Sequence, residues 1–386
     1  MSGEKRVIRV GSRDSQLALI QSNTIIDALK KTHPQYDFKI VSMKTTGDNI
    51  LDKALAKIGE KSLFTKELEI ALIKHDVDLV VHSLKDLPSI LPDGMAIGAV
   101  FKRDSPHDAV VMHPKHKGLT IDKLPKDSVI GSSSVRRVAQ LKRRYPHLVF
   151  KDIRGNLNTR LRKLEQAEDY DAIILAEAGL DRMGWRDKMA HILEPTEILY
   201  AVSQGAMAVE CRDDDETILD MLARIHDQDT VFRCIAERAL LRTLEGGCSA
   251  PVAAYSEIKE KNTLFLKGGV FSLDGSEAVV ESLSIHLPEE GEPPAKKGST
   301  NGHRMYSSVI AQNESQEALK MAEDLGVLLA QKLFEKGARP ILTKAKEDTA
   351  QAIRAESAAK EQAKAQAAKQ EKEEEGTVKG QAEAKT

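Results

Sequence analysis

The chain has 386 residues, of which 41% are apolar, 30% charged and only 4% aromatic. That is length for two to three domains, and the composition excludes a small stapled scaffold, a membrane bundle and a chain disordered throughout. The formal charge of −2, taken as one number, speaks against a polyanion-binding protein, because such proteins usually carry a basic surplus.

Val7–Val10 reads as a short apolar strand, followed by a helix that Asp14 or Ser15 can cap and whose apolar face is Leu17, Ile20, Ile25, Ile26 and Leu29. Phe38–Met43 is strand-like, Thr65–Lys74 is helical, and Val77–Val81 is a buried strand running into His82-Ser83-Leu84-Lys85-Asp86. Strand patterns resume at Asp108–Met112, Ser128–Ile130, Leu148–Ile153 and Ala172–Leu175, with helices opening near Ser133 and Asn156. Such alternation predicts an α/β fold of largely parallel, doubly wound sheets, in which ligands collect at the carboxyl ends of strands and the amino ends of helices. After helices at Thr217–His226 and Val231–Leu244 the pattern changes to three strands, Val252–Ile258, Leu264–Phe271 and Val279–His286, divided by the turn signals Lys261-Asn262 and Asp274-Gly275. With a closing helix over Ser315–Lys336 they make a smaller α+β domain around a three-stranded antiparallel sheet. Pro288–Arg304 reads as a long surface loop, and residues 349–386 hold too few large aliphatics to bury a core, so they read as a solvated tail.

Three cysteines, Cys211, Cys234 and Cys248, stand far apart without a Cys-x-x-Cys pair, so neither a disulfide framework nor a structural zinc site is indicated. No hydrophobic signal core precedes Val7 and no apolar run reaches ~18 residues, so the expectation is a cytoplasmic protein without a membrane span.

The near-neutral total conceals a local excess. From Arg136 to Lys163 ten basic residues are opposed only by Asp152. Arg136 and Arg137 follow Gly131-Ser132-Ser133-Ser134, while Arg154 and Arg160 flank Gly155-Asn156-Leu157-Asn158-Thr159, and Arg13 follows Gly11-Ser12 at the end of the first strand. Small residues there let backbone N–H groups approach an anion at a helix amino end, and arginine forks add bidentate contacts to carboxylate or phosphate. Cations clustered at a positive helix end weaken the fold unless an anion offsets them. Lys142, Arg143, Arg144 and Lys163 read instead as solvated helix faces. Only Tyr145 and Phe150 interrupt the segment, which argues against base stacking and so against RNA.

Asp86 is the one carboxylate in the polar cluster after the Val77–Val81 strand; it suits stabilising a cationic intermediate or relaying protons, and equally suits a cap or loop salt bridge. Cys248 lies in the glycine-containing run Leu244-Glu245-Gly246-Gly247-Cys248, where a thiol is either accessible for covalent use or inert and buried, the latter being the reading for Cys211 and Cys234. No metal constellation is present among the 11 histidines.

From Val7-Ile8-Arg9-Val10-Gly11-Ser12-Arg13 to about residue 345 the chain resembles the porphobilinogen deaminase (hydroxymethylbilane synthase) family. The matching runs include Lys61-Ser62-Leu63-Phe64-Thr65-Lys66-Glu67, Val80-Val81-His82-Ser83-Leu84-Lys85-Asp86-Leu87-Pro88, Ile153-Arg154-Gly155-Asn156-Leu157-Asn158-Thr159-Arg160 and Leu244–Cys248. The resemblance implies a transferase of tetrapyrrole (haem) synthesis that joins four porphobilinogen molecules head to tail, releases ammonia and hydrolyses off hydroxymethylbilane. It implies two domains like type II periplasmic binding proteins, the first interrupted by the second, and a third α+β domain. The expected division is 1–103 with 203–226, then 104–202, 227–345, and a disordered tail over 346–386. Carried across residue by residue, Cys248 is the thioether attachment point of a dipyrromethane cofactor and Asp86 the catalytic carboxylate. Arg13, Arg136, Arg137, Arg154, Arg160 and Arg182 are ligands for the pyrrole carboxylates, helped by Gln21, Ser83, Lys85, Ser133 and Gln204. The implied partners are porphobilinogen and the growing polypyrrole chain, without nucleic acid or membrane, and the implied state is a monomer. Glu177 departs from the family pattern and weakens anion binding nearby if it points inward. A non-catalytic anion-binding module of periplasmic-binding type is the alternative reading.

Overall fold

The computed structural model describes residues 5–45, 65–166, 169–244, 250–288 and 303–355. Its first sheet is built from β1 (Val7–Arg13), β2 (Asp37–Met43), β3 (Leu79–Ser83) and β4 (Met95–Val100), and its second from β5 (Asp108–Met112), β6 (Val129–Gly131), β7 (Val149–Lys151), β8 (Ala172–Ala176) and β9 (His191–Leu193). The chain then returns to the first sheet as β10 (Met207–Arg212), giving the orders β2-β1-β3-β10-β4 and β7-β6-β8-β5-β9. β10 runs antiparallel to β3 and β4, and β5 runs antiparallel to β8 and β9. The reversed strand of each sheet is therefore the one laid down just after a crossing between the halves.

Helices cover both sheets: α1 (Gln16–Thr32), α2 (Lys66–Ile73), α3 (Val135–Arg144), α4 (Leu157–Gln166) and α5 (Glu177–Arg182). α1 starts at Ser15, whose hydroxyl accepts the Ala18 N–H, and buries Ile25, Ile26 and Leu29 against Ile8, Val10 and Leu79. Burial of a whole aliphatic side chain contributes roughly 1.5–3 kcal/mol, and Ile8, Val10, Ile25 and Leu29 are completely covered.

The third unit follows α6 (Glu216–Leu222) and comprises α7 (Gln228–Thr243), β11 (Val252–Lys259), β12 (Thr263–Phe271), β13 (Ala278–His286) and α8 (Gln316–Glu335). Its antiparallel sheet is ordered β11-β12-β13. Alternation along β12 turns Leu264, Leu266 and Val270 inward, where they join Leu240, Leu329 and Leu333 of the two helices in one core. Helix also covers residues 338–355, with Ile341, Leu342 and Ala345 buried, so ordered chain reaches ten residues into the stretch expected as a tail. Those three apolar residues dock just before that stretch, and residues 346–355, exposed or half-buried themselves, continue the same helix. The rest of the tail and most of the Pro288–Arg304 loop lie outside the described residues.

One carboxylate ties the third unit to both crossings. Glu237, fully buried on α7, accepts two bonds from Arg103 of the outgoing crossing (2.7 and 3.1 Å), one from the Ser203 backbone N–H of the return crossing (2.6 Å), and further bonds from the Tyr200 hydroxyl and Ser256. Among the described residues no helix is long and apolar enough to cross a membrane, and no group of three or more His, Cys, Asp or Glu is placed to hold a metal ion.

Candidate functional site

A cleft of about 570 Å³ lies between the two α/β halves. It opens where open α/β sheets bind ligands, at the carboxyl ends of strands: Arg13 ends β1, Lys44 follows β2, Ser83 ends β3 and Ala176 ends β8. Lys85 and Asp86 come from the single 3-10 turn Leu84–Asp86 that follows β3. Alternation along β3 puts Ser83 on the cleft and turns His82 away, into a buried bond with Glu210 of β10 (2.9 Å).

The opposite wall is the turn and first residues of α4. Asn156 accepts the Thr159 N–H at 2.9 Å, and Arg160 folds back to donate to the Gly155 carbonyl at 2.8 Å. Gly155 has φ +108°, and a Cβ there would stand 2.5 Å from the Thr159 methyl, so this tight turn requires glycine. Asn158 Nδ2 donates across to Gln16 Oε1 (3.0 Å), joining the two walls at one edge.

Seven cationic residues line the cleft, from the first half Arg13, Lys44 and Lys85, from the second Arg137, Arg154, Arg160 and Arg182, facing the carboxylates of Asp14 and Asp86 among the described residues. Burial and then repulsion from Arg137 and Arg154 bring Arg160 down to about 10. Burial, with Arg137 and Arg136 working against the pull of Asp86 and Asp108, brings the Lys85 ammonium down to about 8. A cleft whose own cations are mutually destabilised is offset by an anionic ligand, and that observation fits a polycarboxylate such as dipyrromethane.

The expected site residues divide into two sets. Arg13, Ser83, Lys85, Asp86, Arg137, Arg154, Arg160 and Arg182 meet on the cleft wall. Arg182 is also tied down, donating to Asp104 at 2.9 Å and to the Gly205 carbonyl at 2.7 Å. Gln21, Ser133, Arg136 and Gln204 are not on that wall. Gln21 stands behind Ser83 and donates to its hydroxyl at 2.8 Å. Ser133 exchanges hydrogen bonds with the Ile153 backbone. Arg136 pairs with Asp108 (2.8 Å) and donates to the Leu199 carbonyl (2.7 Å). Gln204 donates to Asp108 (2.8 Å) and to the Pro106 carbonyl (2.7 Å). Each of the four directs its polar atoms at partners inside the protein, as Gln21, Arg136 and Gln204 must because burial takes them out of water.

Cys248 lies outside the described residues; Cys211 and Cys234 are free and buried. Glu177 is buried and points away from the cleft, accepting from the Ser105 hydroxyl at the outgoing crossing, so it does not meet an anion there. Arg143 is not merely solvated: it donates to the Gly275 and Ser276 carbonyls of the β12–β13 turn.

Sequence reasoning missed Lys44, Asp108 and the Arg103–Glu237 pair. Lys44 had a usable signal in its place at the end of a strand, whereas Asp108 opens an apolar strand and Glu237 sits mid-helix, with no local pattern to mark either.

A family profile described as "Porphobilinogen deaminase, dipyromethane cofactor binding domain" matches residues 8–220, and one described as "Porphobilinogen deaminase, C-terminal domain" matches residues 231–307. A porphobilinogen deaminase of Nostoc sp. is 45% identical over 342 residues, covering 89% of this chain and 95% of that protein. One of Gloeobacter violaceus is 52% identical over 271 residues, 70% of this chain and 82% of that one. One of Bacillus velezensis is 44% identical over 314 residues, 81% and 99% of the two chains. Among solved structures, the periplasmic VFT2 domain of Bordetella pertussis BvgS aligns with 14% identity and a TM-score of 0.36, covering 57% of this chain and 86% of that one. The chain belongs to the porphobilinogen deaminase family, transferases that make hydroxymethylbilane.

Proposed function

We propose that this chain joins four porphobilinogen molecules head to tail in the interdomain cleft, releasing ammonia and yielding hydroxymethylbilane, with Asp86 as the catalytic carboxylate. The observation that carries the reading is the cleft's charge: seven cations around Asp14 and Asp86. Each pyrrole of such a product bears acetate and propionate groups, so the ligand gains carboxylates as it lengthens, and a cation-rich wall suits every stage of it. A dipyrromethane held by a thioether to Cys248 supplies the free pyrrole position at which the chain is extended.

Arg13, Arg137, Arg154, Arg160 and Arg182, with Ser83 and Lys85, hold the carboxylates of the cofactor and substrate. Gln21, Ser133, Arg136 and Gln204 act from behind, fixing the groups that do touch ligand. Asp86 follows Lys85 on the short turn that lines the cleft, where it can accept or return a proton at the aminomethyl nitrogen and offset positive charge arising on a pyrrole ring. The surrounding arginines offset the charge of the carboxylates that the ligand brings into the cleft. In the same reading the protein works as a monomer in the cytoplasm, on porphobilinogen and the growing chain rather than on nucleic acid or a membrane.

The test is incubation of the purified protein with porphobilinogen while ammonia and hydroxymethylbilane are measured. The proposal expects four ammonia per hydroxymethylbilane. A folded protein that binds the pyrrole but releases no ammonia would instead be the non-catalytic anion-binding module.

A further inference from the structure

We infer that Asp108 and Gln204 are positioning residues, forming a relay through the return crossing that fixes the Lys85 ammonium of the first half relative to Arg137 of the second. The inference rests on the functional reading above for the use of Lys85 and Arg137, but the relay is defined by geometry. Lys85 Nζ donates to Gln204 Oε1 at 3.3 Å, and the same amide donates from Nε2 to Asp108 Oδ1 at 2.8 Å. That oxygen also accepts from Arg137 Nε and Nη2 at 2.9 and 2.7 Å, while Arg136 Nη1 lies 2.8 Å from Oδ2.

Three of the four members are buried: Asp108 and Gln204 are each 1% exposed and Arg137 6%. Burial alone would keep Asp108 neutral, but Arg136 and Arg137 outweigh it and hold the carboxyl well below the usual carboxylate range. Gln204 is held in one orientation by the Pro106 and His107 carbonyls, which also take its Nε2 hydrogens. Its carbonyl oxygen must then face Lys85, since a flipped amide would set N–H against N–H there. Lys85 and Asp86 are neighbours on one turn, so a device that fixes Lys85 also fixes the edge of the cleft carrying the proposed catalytic carboxylate. One amide bridges the two halves where the chain crosses between them.

The charged groups that act most strongly on Lys85 are Asp86 on its own turn and Asp108, Arg136 and Arg137 from the second half. Losing the Gln204 acceptor withdraws a hydrogen bond from the ammonium, and neutralising Asp108 withdraws a nearby negative charge; both changes lower the Lys85 pKa. The experiment is an NMR titration of lysine-labelled full-length protein, with the Lys85 signal assigned through Lys85→Arg, on wild type, Gln204→Met and Asp108→Asn. Intact mass checks that all carry the same covalent load. Gln204→Met should lower the Lys85 midpoint from about 8 by roughly one unit, the scale of a hydrogen bond to a charged group, and Asp108→Asn should shift it in the same direction. A wild-type Lys85 midpoint in folded Gln204→Met would overturn the relay. That variant decides alone if Asp108→Asn does not fold, because it leaves the Asp108–arginine cluster intact. Failure of wild type to release ammonia from porphobilinogen would refute the functional reading and leave the titration result standing.

Discussion

Glu237→Gln should be among the most destabilising near-isosteric changes available in this chain. The carboxylate is completely buried and accepts five hydrogen bonds, two of them from an Arg103 side chain that is itself 2% exposed. The amide cannot serve both oxygens' partners: wherever its NH2 lies, it faces donors, and Arg103 keeps a charge with no counter-ion. Breaking a buried pair by removing one partner costs about 3–5 kcal/mol, a large part of the ~5–15 kcal/mol that holds a typical domain together. Urea denaturation followed by circular dichroism, with limited proteolysis at residues 101–107 and 201–205, reads both the loss and the loosening of the crossings. The double variant Arg103→Met/Glu237→Leu should recover part of it, since it removes the unpaired charge but leaves the Ser203 N–H without its acceptor. A pH effect accompanies this: burial pushes the Glu237 carboxyl up, but Arg103 prevails and holds it below its ordinary value. Its contribution is thus fully present above the unfolded pKa of ~4.3 and is lost as pH falls towards the folded value. A loss under about 1 kcal/mol for Glu237→Gln would refute the view that this residue anchors the third unit to both crossings.

Four further outcomes are expected. Asp86→Asn should fold and keep its cofactor, yet turn over roughly 10²–10⁴ more slowly, and near-normal ammonia release would remove Asp86 from its role. Arg160→Gln should cost little stability, because the folded chain already disfavours that charge, while kcat/KM for elongation falls roughly 10–100-fold, the scale of a lost charge-assisted bond; an unchanged spread of chain-length intermediates would count against it. Gly205→Ala should destabilise by about 1–3 kcal/mol in thermal melts, since at φ +88° its Cβ would lie 2.6 Å from the Asp104 carbonyl oxygen of the other crossing. His226 accepts the Val100 N–H on Nδ1 and donates from Nε2 to Ile310, and burial brings it down to about 4. Its folded pKa being below the unfolded ~6.5, stability is full above pH 6.5 and falls by up to roughly 3 kcal/mol towards pH 4; His226→Gln should flatten that slope, and an equal slope in both proteins would contradict the assignment.

The apolar periodicities located several strands closely: Asp108–Met112 is β5 residue for residue, and the three strands of the third unit shift by at most one residue at an end. β4, β9 and β10 were not legible. β10 carries Glu210 and Arg212 inside a wholly buried strand, polarity that local pattern reads as loop and that only long-range partners, His82 for one and the Leu72 and Val77 carbonyls for the other, make tolerable. The cleft arginines were legible because strand ends and helix starts are local features. Which of them reach the wall was not: Arg136 and Arg137 are adjacent in sequence and both pair with Asp108, yet only Arg137 lines the cleft. That distinction depends on a carboxylate that opens another strand 28 residues before Arg136.

The central claim, that this cleft holds a polycarboxylate pyrrole chain begun on Cys248, is tested most directly by intact-protein mass spectrometry with peptide mapping. The account predicts a covalent mass equal to one dipyrromethane, located on the peptide containing Cys248, increasing by single pyrrole units when porphobilinogen is added. A folded protein with an unmodified Cys248 that nonetheless gains no pyrrole mass on exposure to porphobilinogen would contradict it.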